Sequence, residues 1–352
     1  MRLLLYPFAV LYGLGVRTRN LLFDIGILKS KEFDLPIISV GNLSAGGTGK
    51  SPHVGYLAML LKDKMNVVIL SRGYGRVTRG FRLIQPEDTA AVAGDEPLQY
   101  KKTIENIIVA VSEDRVEGIH QLLSAPHPPD VILLDDAFQH RYVKPGLNIL
   151  LTEFNNLYTD DHLLPVGSLR EPYTGSKRAS IIIVTKCPAV LTLDQQENIR
   201  KRLRVNHHQQ LFFSNIHYAE VMKLQDGNTI LLEELKHRKV LLLTGIANPK
   251  LLANFIQSVA KGMDQMIFRD HHQYTIADVD QLRAKFNKFA KQDGLIITTR
   301  KDFMRLHDPA LQDALVGLPI AVIDIEIKIL EPGATPFNLT ILNYVKAHSG
   351  VS

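Results

Sequence analysis

The residues with the clearest chemistry are Val40-Gly41-Asn42-Leu43-Ser44-Ala45-Gly46-Gly47-Thr48-Gly49-Lys50-Ser51. They follow the apolar stretch Leu35-Pro36-Ile37-Ile38-Ser39-Val40, which reads as a buried strand. A strand running into a glycine-rich loop that ends Gly-Lys-Ser aims backbone N–H groups at phosphate oxygens. The helix that follows adds its N-terminal dipole. In such a loop Lys50 reaches the β- and γ-phosphates, the Ser51 hydroxyl sits on Mg²⁺, and Ser44, Ala45, Gly46, Gly47, Thr48 and Gly49 line the cradle. The general pattern wants glycine where this chain has Ser44. Gly46 and Gly47 are expected to supply the positive φ angles. Pro52 suits the first helical turn, which has no use for its missing N–H. The expected ligand is a nucleoside triphosphate.

Val131-Ile132-Leu133-Leu134-Asp135-Asp136 fits the second nucleotide motif, an apolar strand ending in acid whose carboxylate holds Mg²⁺ directly or through water. Adjacent residues of a strand point to opposite faces, so only one of Asp135 and Asp136 is expected at the metal. Gly94-Asp95-Glu96-Pro97 places two acids at a helix start, where Asp as N-cap and Glu in the first turn would also serve the helix itself. Asp270-His271-His272-Gln273-Tyr274, Phe138-Gln139-His140 and Leu164 to Glu171 are polar, loop-like segments.

Strands alternating with helices position these groups. Asn66–Leu70 runs into the basic loop Ser71-Arg72-Gly73-Tyr74-Gly75-Arg76, and Ile107–Val111 is a further strand. Such alternation implies a mainly parallel sheet with helices on both faces, and ligands bind at the carboxyl ends of its strands. Ser180–Val184, Lys239–Leu243 and Leu295–Thr298 repeat the style in the second half, with helices over Asn248–Lys261 and Ile276–Lys291. A turn signal at Asp226-Gly227-Asn228 implies a two-stranded ribbon near 216–233, hinging two lobes. The expected fold class is α/β, a P-loop NTPase-like parallel sheet plus a second, smaller α/β lobe joined by a β-ribbon. The expected segments are 1–30, a membrane-associating helix; 31–150, the nucleotide core; 151–330, the second lobe; and 331–352, a tail.

The 352 residues, 45% hydrophobic and 22% charged, suit an ordinary globular protein of two domains. One cysteine, Cys187, excludes an internal disulfide and a cysteine-based zinc site. The net charge of +5 suits an anionic membrane face, nucleic acid or phosphorylated ligands alike. Leu3 to Val16 is almost wholly apolar, with Arg2 before it and Arg17 and Arg19 after it, but falls short of the roughly 20 residues that span a bilayer. A signal peptide and a buried core helix are alternatives. The favoured expectation is a helix in the membrane surface with arginines at the headgroups.

Six motifs in order resemble one family: Gly-Asn-Leu-Ser-Ala-Gly-Gly-Thr-Gly-Lys-Ser-Pro, Ser-Arg-Gly-Tyr-Gly, Gly-Asp-Glu-Pro, Asp-Asp-Ala-Phe-Gln-His, Leu-Leu-Pro-Val-Gly-Ser-Leu-Arg-Glu and Asp-His-His-Gln-Tyr. They look like those of tetraacyldisaccharide 4'-kinase, the family that phosphorylates the lipid A precursor of Gram-negative bacteria. The resemblance runs from the N-terminal segment to about residue 305. It departs at Thr299-Arg300-Lys301-Asp302, where the family usually has Glu at position 300. It implies that ATP·Mg²⁺ donates its γ-phosphate to the 4'-hydroxyl of a tetraacylated glucosamine disaccharide 1-phosphate. It further implies Asp95 as base oriented by His271, Lys50 and Asp136 in the catalytic set, and Ser51, Asp135, Asp136 and Glu96 around the metal. Arg72, Arg170, Glu171 and His140 are expected on the acceptor. The expected partners are the lipid A disaccharide precursor and an anionic membrane surface at the cytoplasmic face of the inner membrane, without nucleic acid or an obligate protein partner. A GTP-driven switch is the main rival, but Thr185-Lys186-Cys187-Pro188 has proline where a guanine-reading aspartate belongs. A membrane ATPase acting on a protein is a third.

Overall fold

Apolar runs four to seven residues long, rich in Ile, Val and Leu and buried on both faces, build a parallel sheet because only a sheet covered on each side can accept them. The structure, a computed structural model, describes residues 2–270, 272–290 and 293–348. The first sheet takes β1 (Ile37–Asn42), β2 (Val67–Ser71), β3 (Arg82–Leu83), β4 (Ile108–Val111), β5 (Val131–Asp135), β6 (Leu147–Glu153), β7 (Ile181–Thr185) and β8 (Gln210–Tyr218). Their spatial order is β8-β7-β6-β1-β5-β2-β4-β3, parallel except for the short antiparallel β3. The order switches direction at β1, where β5 and β6 flank it, and such a switch opens a crevice at the strands' carboxyl ends. Asp135 lies in register with Val40, so the acidic motif and the glycine loop leave the sheet side by side.

The chain divides into two compact units: Met1–Pro86, Tyr100–Ile216 and Ile327–Ser352 form the first, Glu87–Gln99 and His217–Glu326 the second. The expected boundary near residue 150 is therefore corrected, because β6, β7 and β8 continue the first sheet in parallel register. In the second unit, β9 (Val221–Leu224), β10 (Thr229–Leu231), β11 (Lys239–Thr244), β12 (Gly262–Ile267), β13 (Gly294–Thr299) and β14 (Ile320–Ile323) form a six-stranded sheet in the order β10-β9-β14-β13-β11-β12. The Asp226-Gly227-Asn228 turn does join an antiparallel pair, β9 and β10, but β9 also pairs with β14, so the hairpin is an edge of this sheet. Finally β15 (Ile325–Ile329) pairs beside β8 at the edge of the first sheet.

Two terminal segments also belong to the first unit. The expected tail contains a helix, Ala334–His348, whose Phe337, Ile341 and Val345 are spaced four apart and fully buried. Its Tyr344 hydroxyl donates to the Ile37 carbonyl of β1 at 3.1 Å. The N-terminal helix α1 (Tyr6–Asp24) buries Ala9, Gly13 and Phe23 and leaves Leu4, Phe8, Val10, Leu11 and Leu14 more than half exposed around it. No described helix is long and apolar enough to cross a membrane. Cys187 is buried, and burial pushes its thiol up to about 12.

Candidate active site

The glycine loop emerges from β1 and ends in helix α2 (Lys50–Leu61). Its positive φ angles fall at Gly46 (133°) and Gly49 (86°), so Gly49 takes the role expected of Gly47. At the loop's start, Gly41 must stay bare, since a Cβ there would lie 2.6 Å from Phe138 Cβ. The segment around Leu169 runs against the loop: Ser44 bridges Leu169, the Ala45 N–H donates to the Ser168 carbonyl at 2.6 Å, and the Arg170 N–H to Leu43 O at 2.7 Å. Thr48, almost fully buried, is held through its carbonyl by the Thr185 hydroxyl at 3.0 Å.

At the mouth of this loop the structure assembles one charged cluster. Lys50 Nζ donates to Asn42 Oδ1 at 3.2 Å and lies 3.7 Å from Asp136 Oδ1. Arg170 forks onto Asp136, Nη1 to Oδ2 at 3.2 Å and Nη2 to Oδ1 at 2.8 Å, and Nη2 also donates to Asn42 Oδ1. Burial by itself would raise the Asp136 carboxyl, but Lys50 and Arg170 outweigh it and hold it below its ordinary value. The two aspartates diverge as alternation requires, and more sharply: Asp136 has a left-handed backbone, φ 48°, which Asp tolerates. Asp135 instead receives the Ser71 hydroxyl at 3.5 Å and the Tyr100 hydroxyl at 3.3 Å. Ser51, Asp135 and Asp136 offer oxygen donors only, which suits Mg²⁺. That ion takes one or two carboxylates and fills the rest of its shell with water and phosphate. No group of three or more His, Cys, Asp or Glu among the described residues could hold a metal unaided.

The other expected acceptor residues separate by role. Arg72 is exposed just past the end of β2, the strand paired with β5. His140 lines an open cavity of about 590 Å³ with Lys29, Lys31 and Tyr142. Burial and then Arg115 lower its imidazole to about 4, which leaves the ring neutral at neutral pH. Glu171 is 2% exposed and fully engaged: Arg178 donates to both its oxygens at 2.9 Å, Gln139 to Oε1 at 3.0 Å and Asn20 of α1 to Oε2 at 3.2 Å. Its observed contacts are those of a strut that fixes the loop carrying Arg170. Helix α1 completes that brace, with the Tyr12 hydroxyl on Arg170 O at 2.7 Å and Arg19 on Gln139 O at 3.1 Å. Arg19 thus faces protein, and Arg17 is the exposed arginine. His271 and the side chain of Arg2 lie outside the described part of the structure.

The second unit holds Asp95 and Glu96 at the start of the helix Asp95–Thr103. Asp95 is more than an N-terminal helix acid. Arg305 donates to its Oδ2 from Nε at 2.9 Å and Nη2 at 2.6 Å. Arg305 in turn is held by Asp302, fully buried, whose carboxylate also accepts from the Gly245 N–H and from Thr244, Tyr274 and Thr299. Glu96 pairs with Lys301 at 2.9 Å. Arg300, the departure from the family pattern, pairs with Asp324, Nε to Oδ1 at 2.8 Å. His272 leans on Asp278 at 3.1 Å and stacks on Phe268. Sequence reasoning missed Asn42 and Arg305. Asn42 had a signal, since a buried amide at the foot of a phosphate loop needs partners; Arg305, 210 positions from Asp95, had none. The nucleotide-base rival loses support as well, because Thr185 is spent on Thr48 O and Lys186 on Glu153 at 2.6 Å.

These features agree with what the chain resembles. A family model described as Tetraacyldisaccharide-1-P 4'-kinase matches residues 1–344. The tetraacyldisaccharide 4'-kinase of Bacteroides thetaiotaomicron is 44% identical over 356 residues, covering 98% of this chain and 93% of that protein. That of Flavobacterium johnsoniae is 44% identical over 346 residues, covering 98% of both. A crystal structure of LpxK from Aquifex aeolicus in complex with ATP aligns with a TM-score of 0.74 at 29% identity, covering 98% of this chain and 99% of that one. With matches that run nearly end to end, the chain belongs to the tetraacyldisaccharide 4'-kinase family.

Proposed function

We infer that this chain transfers the γ-phosphate of ATP to the 4'-hydroxyl of a tetraacylated glucosamine disaccharide 1-phosphate, a step in lipid A biosynthesis. The observation that carries the reading is the Lys50–Asn42–Asp136–Arg170 cluster at the mouth of a glycine loop. A sugar hydroxyl is a weak nucleophile, so transfer needs in-line positioning, neutralised charge and a proton acceptor. The loop N–H groups orient the triphosphate. Lys50 and Arg170 supply positive charge where it builds on the transferring phosphoryl group. Ser51 and one of Asp135 and Asp136 would hold Mg²⁺, which would supply neutralising charge at the phosphate oxygens. Asp95 takes the hydroxyl proton, with His271 as its orienting partner, and Glu96 belongs to the same water network. Arg72 and His140 are assigned to the acceptor headgroup. The test is whether ATP turnover needs the lipid disaccharide. ADP formation should rise many-fold when that acceptor is added in detergent. Turnover equal with and without it would favour a switch or an ATPase.

The membrane belongs to this reading. An apolar helix face as exposed as that of α1 is a docking surface for something apolar, and the acceptor's acyl chains lie in a bilayer. Because Tyr12, Arg19 and Asn20 brace the site loops, deleting α1 would damage the site as well as the surface. A cleaner test replaces Val10, Leu11 and Leu14, neighbours on one exposed face of α1, with Gln. Co-sedimentation with anionic vesicles should fall, and KM for vesicle-embedded acceptor should rise, with turnover on detergent-dispersed acceptor preserved. Undiminished vesicle binding would move the membrane surface elsewhere.

A further inference from the structure

The phosphate loop ends in two consecutive peptide groups, Thr48–Gly49 and Gly49–Lys50, and both carbonyls are gripped from behind. Thr48 O accepts from Thr185 at the end of β7, at 3.0 Å. Gly49 O accepts from the His53 ring Nδ1 at 2.7 Å and from the His53 backbone N–H at 3.3 Å. In a planar trans peptide the C=O of one residue and the N–H of the next point in opposite directions. Fixing these two carbonyls therefore turns the N–H groups of Gly49 and Lys50 the other way, as a bound phosphate requires. A second donor on Gly49 O also polarises the peptide that carries the Lys50 N–H.

His53 is itself held. Its Nε2 lies 2.9 Å from the hydroxyl of Ser214 on β8, and both residues are buried. Gly49 O can only accept, so Nδ1 carries the ring proton and Nε2 accepts from Ser214, an assignment made from the hydrogen-bond network. Burial lowers the imidazole to about 4, which keeps the ring neutral and in this tautomer at neutral pH. Gly49 is in the left-handed region, and a Cβ there would sit 3.6 Å from Nδ1, so the ring is packed against the loop as well as bonded to it.

We propose that His53 is a positioning residue for phosphoryl transfer, fixing through the Ser214–His53–Gly49 chain the peptide whose Lys50 N–H grips the triphosphate. The proposal rests on the loop being the ATP site. The rival is a buried polar bolt that serves stability alone. Two amides separate them. Asn places its N–H₂ near the position of Nδ1, so His53→Asn keeps the bond to Gly49 and drops Ser214. Gln reaches toward Nε2, so His53→Gln keeps Ser214 and leaves Gly49 O with the backbone N–H of residue 53 alone. Each loses one hydrogen bond, so their Tm values should fall together. We expect His53→Gln to lower kcat by about 10-fold or more and to raise KM for ATP. His53→Asn should stay within about 3-fold of wild type, with KM for the lipid acceptor unchanged in both. Equal kcat in the two variants, or losses that merely track Tm, would overturn the proposal. Should His53→Gln not fold, amide exchange in Ser214→Ala carries the test. Exchange across residues 44–51 with ATP bound should quicken while the rest of the first unit keeps its protection; unchanged exchange overturns it. Wild-type ATP turnover and its loss in Lys50→Ala report separately on the loop's assignment.

Discussion

Replacing Lys50 by Ala is expected to lower kcat by about 10² to 10³-fold with the fold intact, the loss typical of removing one charge aimed at a transition state. The ammonium sits beside Asn42 and Asp136 at the end of the loop. Little stability should go with it. The pair is partly exposed, and such pairs contribute up to about 1 kcal/mol. Asp136 keeps its fork from Arg170. Nor should the loss depend on pH near neutrality. A carboxyl held below its ordinary value, 3.8, adds stability fully above that value and loses it only as pH falls through the lower, folded one. Steady-state kinetics beside thermal unfolding checks both halves. Near-normal turnover would remove the phosphate loop from the mechanism. A collapse of Tm would mean that Lys50 mainly holds the cluster together.

What the sequence made legible was local. The glycine loop, the acid-ended strand and most parallel strands carry their signal within ten residues: bulk, length and the punctuation around them. Boundaries between units did not, because β6, β7 and β8 look like any buried strand and only register assigns them to the first sheet. The C-terminal helix reads as a tail because it carries no motif, although Phe337, Ile341 and Val345 repeat at helical spacing. The site followed the same rule. Lys50, Asp136 and Arg170 each stand in a local motif, but the cluster they form with Asn42 joins segments up to 128 positions apart. Glu171 shows another limit: beside an arginine expected on the acceptor it reads as a ligand contact, while three residues, Arg178, Gln139 and Asn20, donate to its buried carboxylate, which the sequence does not show. The divergence of Asp135 and Asp136 was legible only in part: β5 ends at Asp135, and the left-handed backbone of Asp136, φ 48°, leaves no mark in the sequence.

Asp95→Asn is the second substitution with a large expected effect, and the structure decides which replacement to make. Asp95 has two jobs. One, proposed from chemistry, is to take the proton of the acceptor hydroxyl. The other is to receive the buried Arg305 guanidinium at 2.6 and 2.9 Å. Alanine would end both at once, leaving a buried cation short of a partner, a change that costs about 3–5 kcal/mol. Asparagine separates them. Its carbonyl can take the place of Oδ2 and go on accepting from Arg305, which keeps Asp302 as its charged partner at 3.2 Å. Its amide end then stands where the basic oxygen was and cannot accept a proton. We expect kcat to fall by about 10² to 10⁴-fold, the usual share of a general base. KM for ATP should move little, because a general base acts on the acceptor hydroxyl and not on the nucleotide. The pH profile gives the decisive reading: an acid limb of kcat/KM in the wild type should vanish in the Asn protein, since a general base acts only when unprotonated. A variant that instead loses ATP affinity while keeping kcat would make Asp95 a nucleotide or metal residue. A variant that unfolds early with its residual kcat unchanged would leave it the anchor of Arg305 alone, with the base to be sought elsewhere.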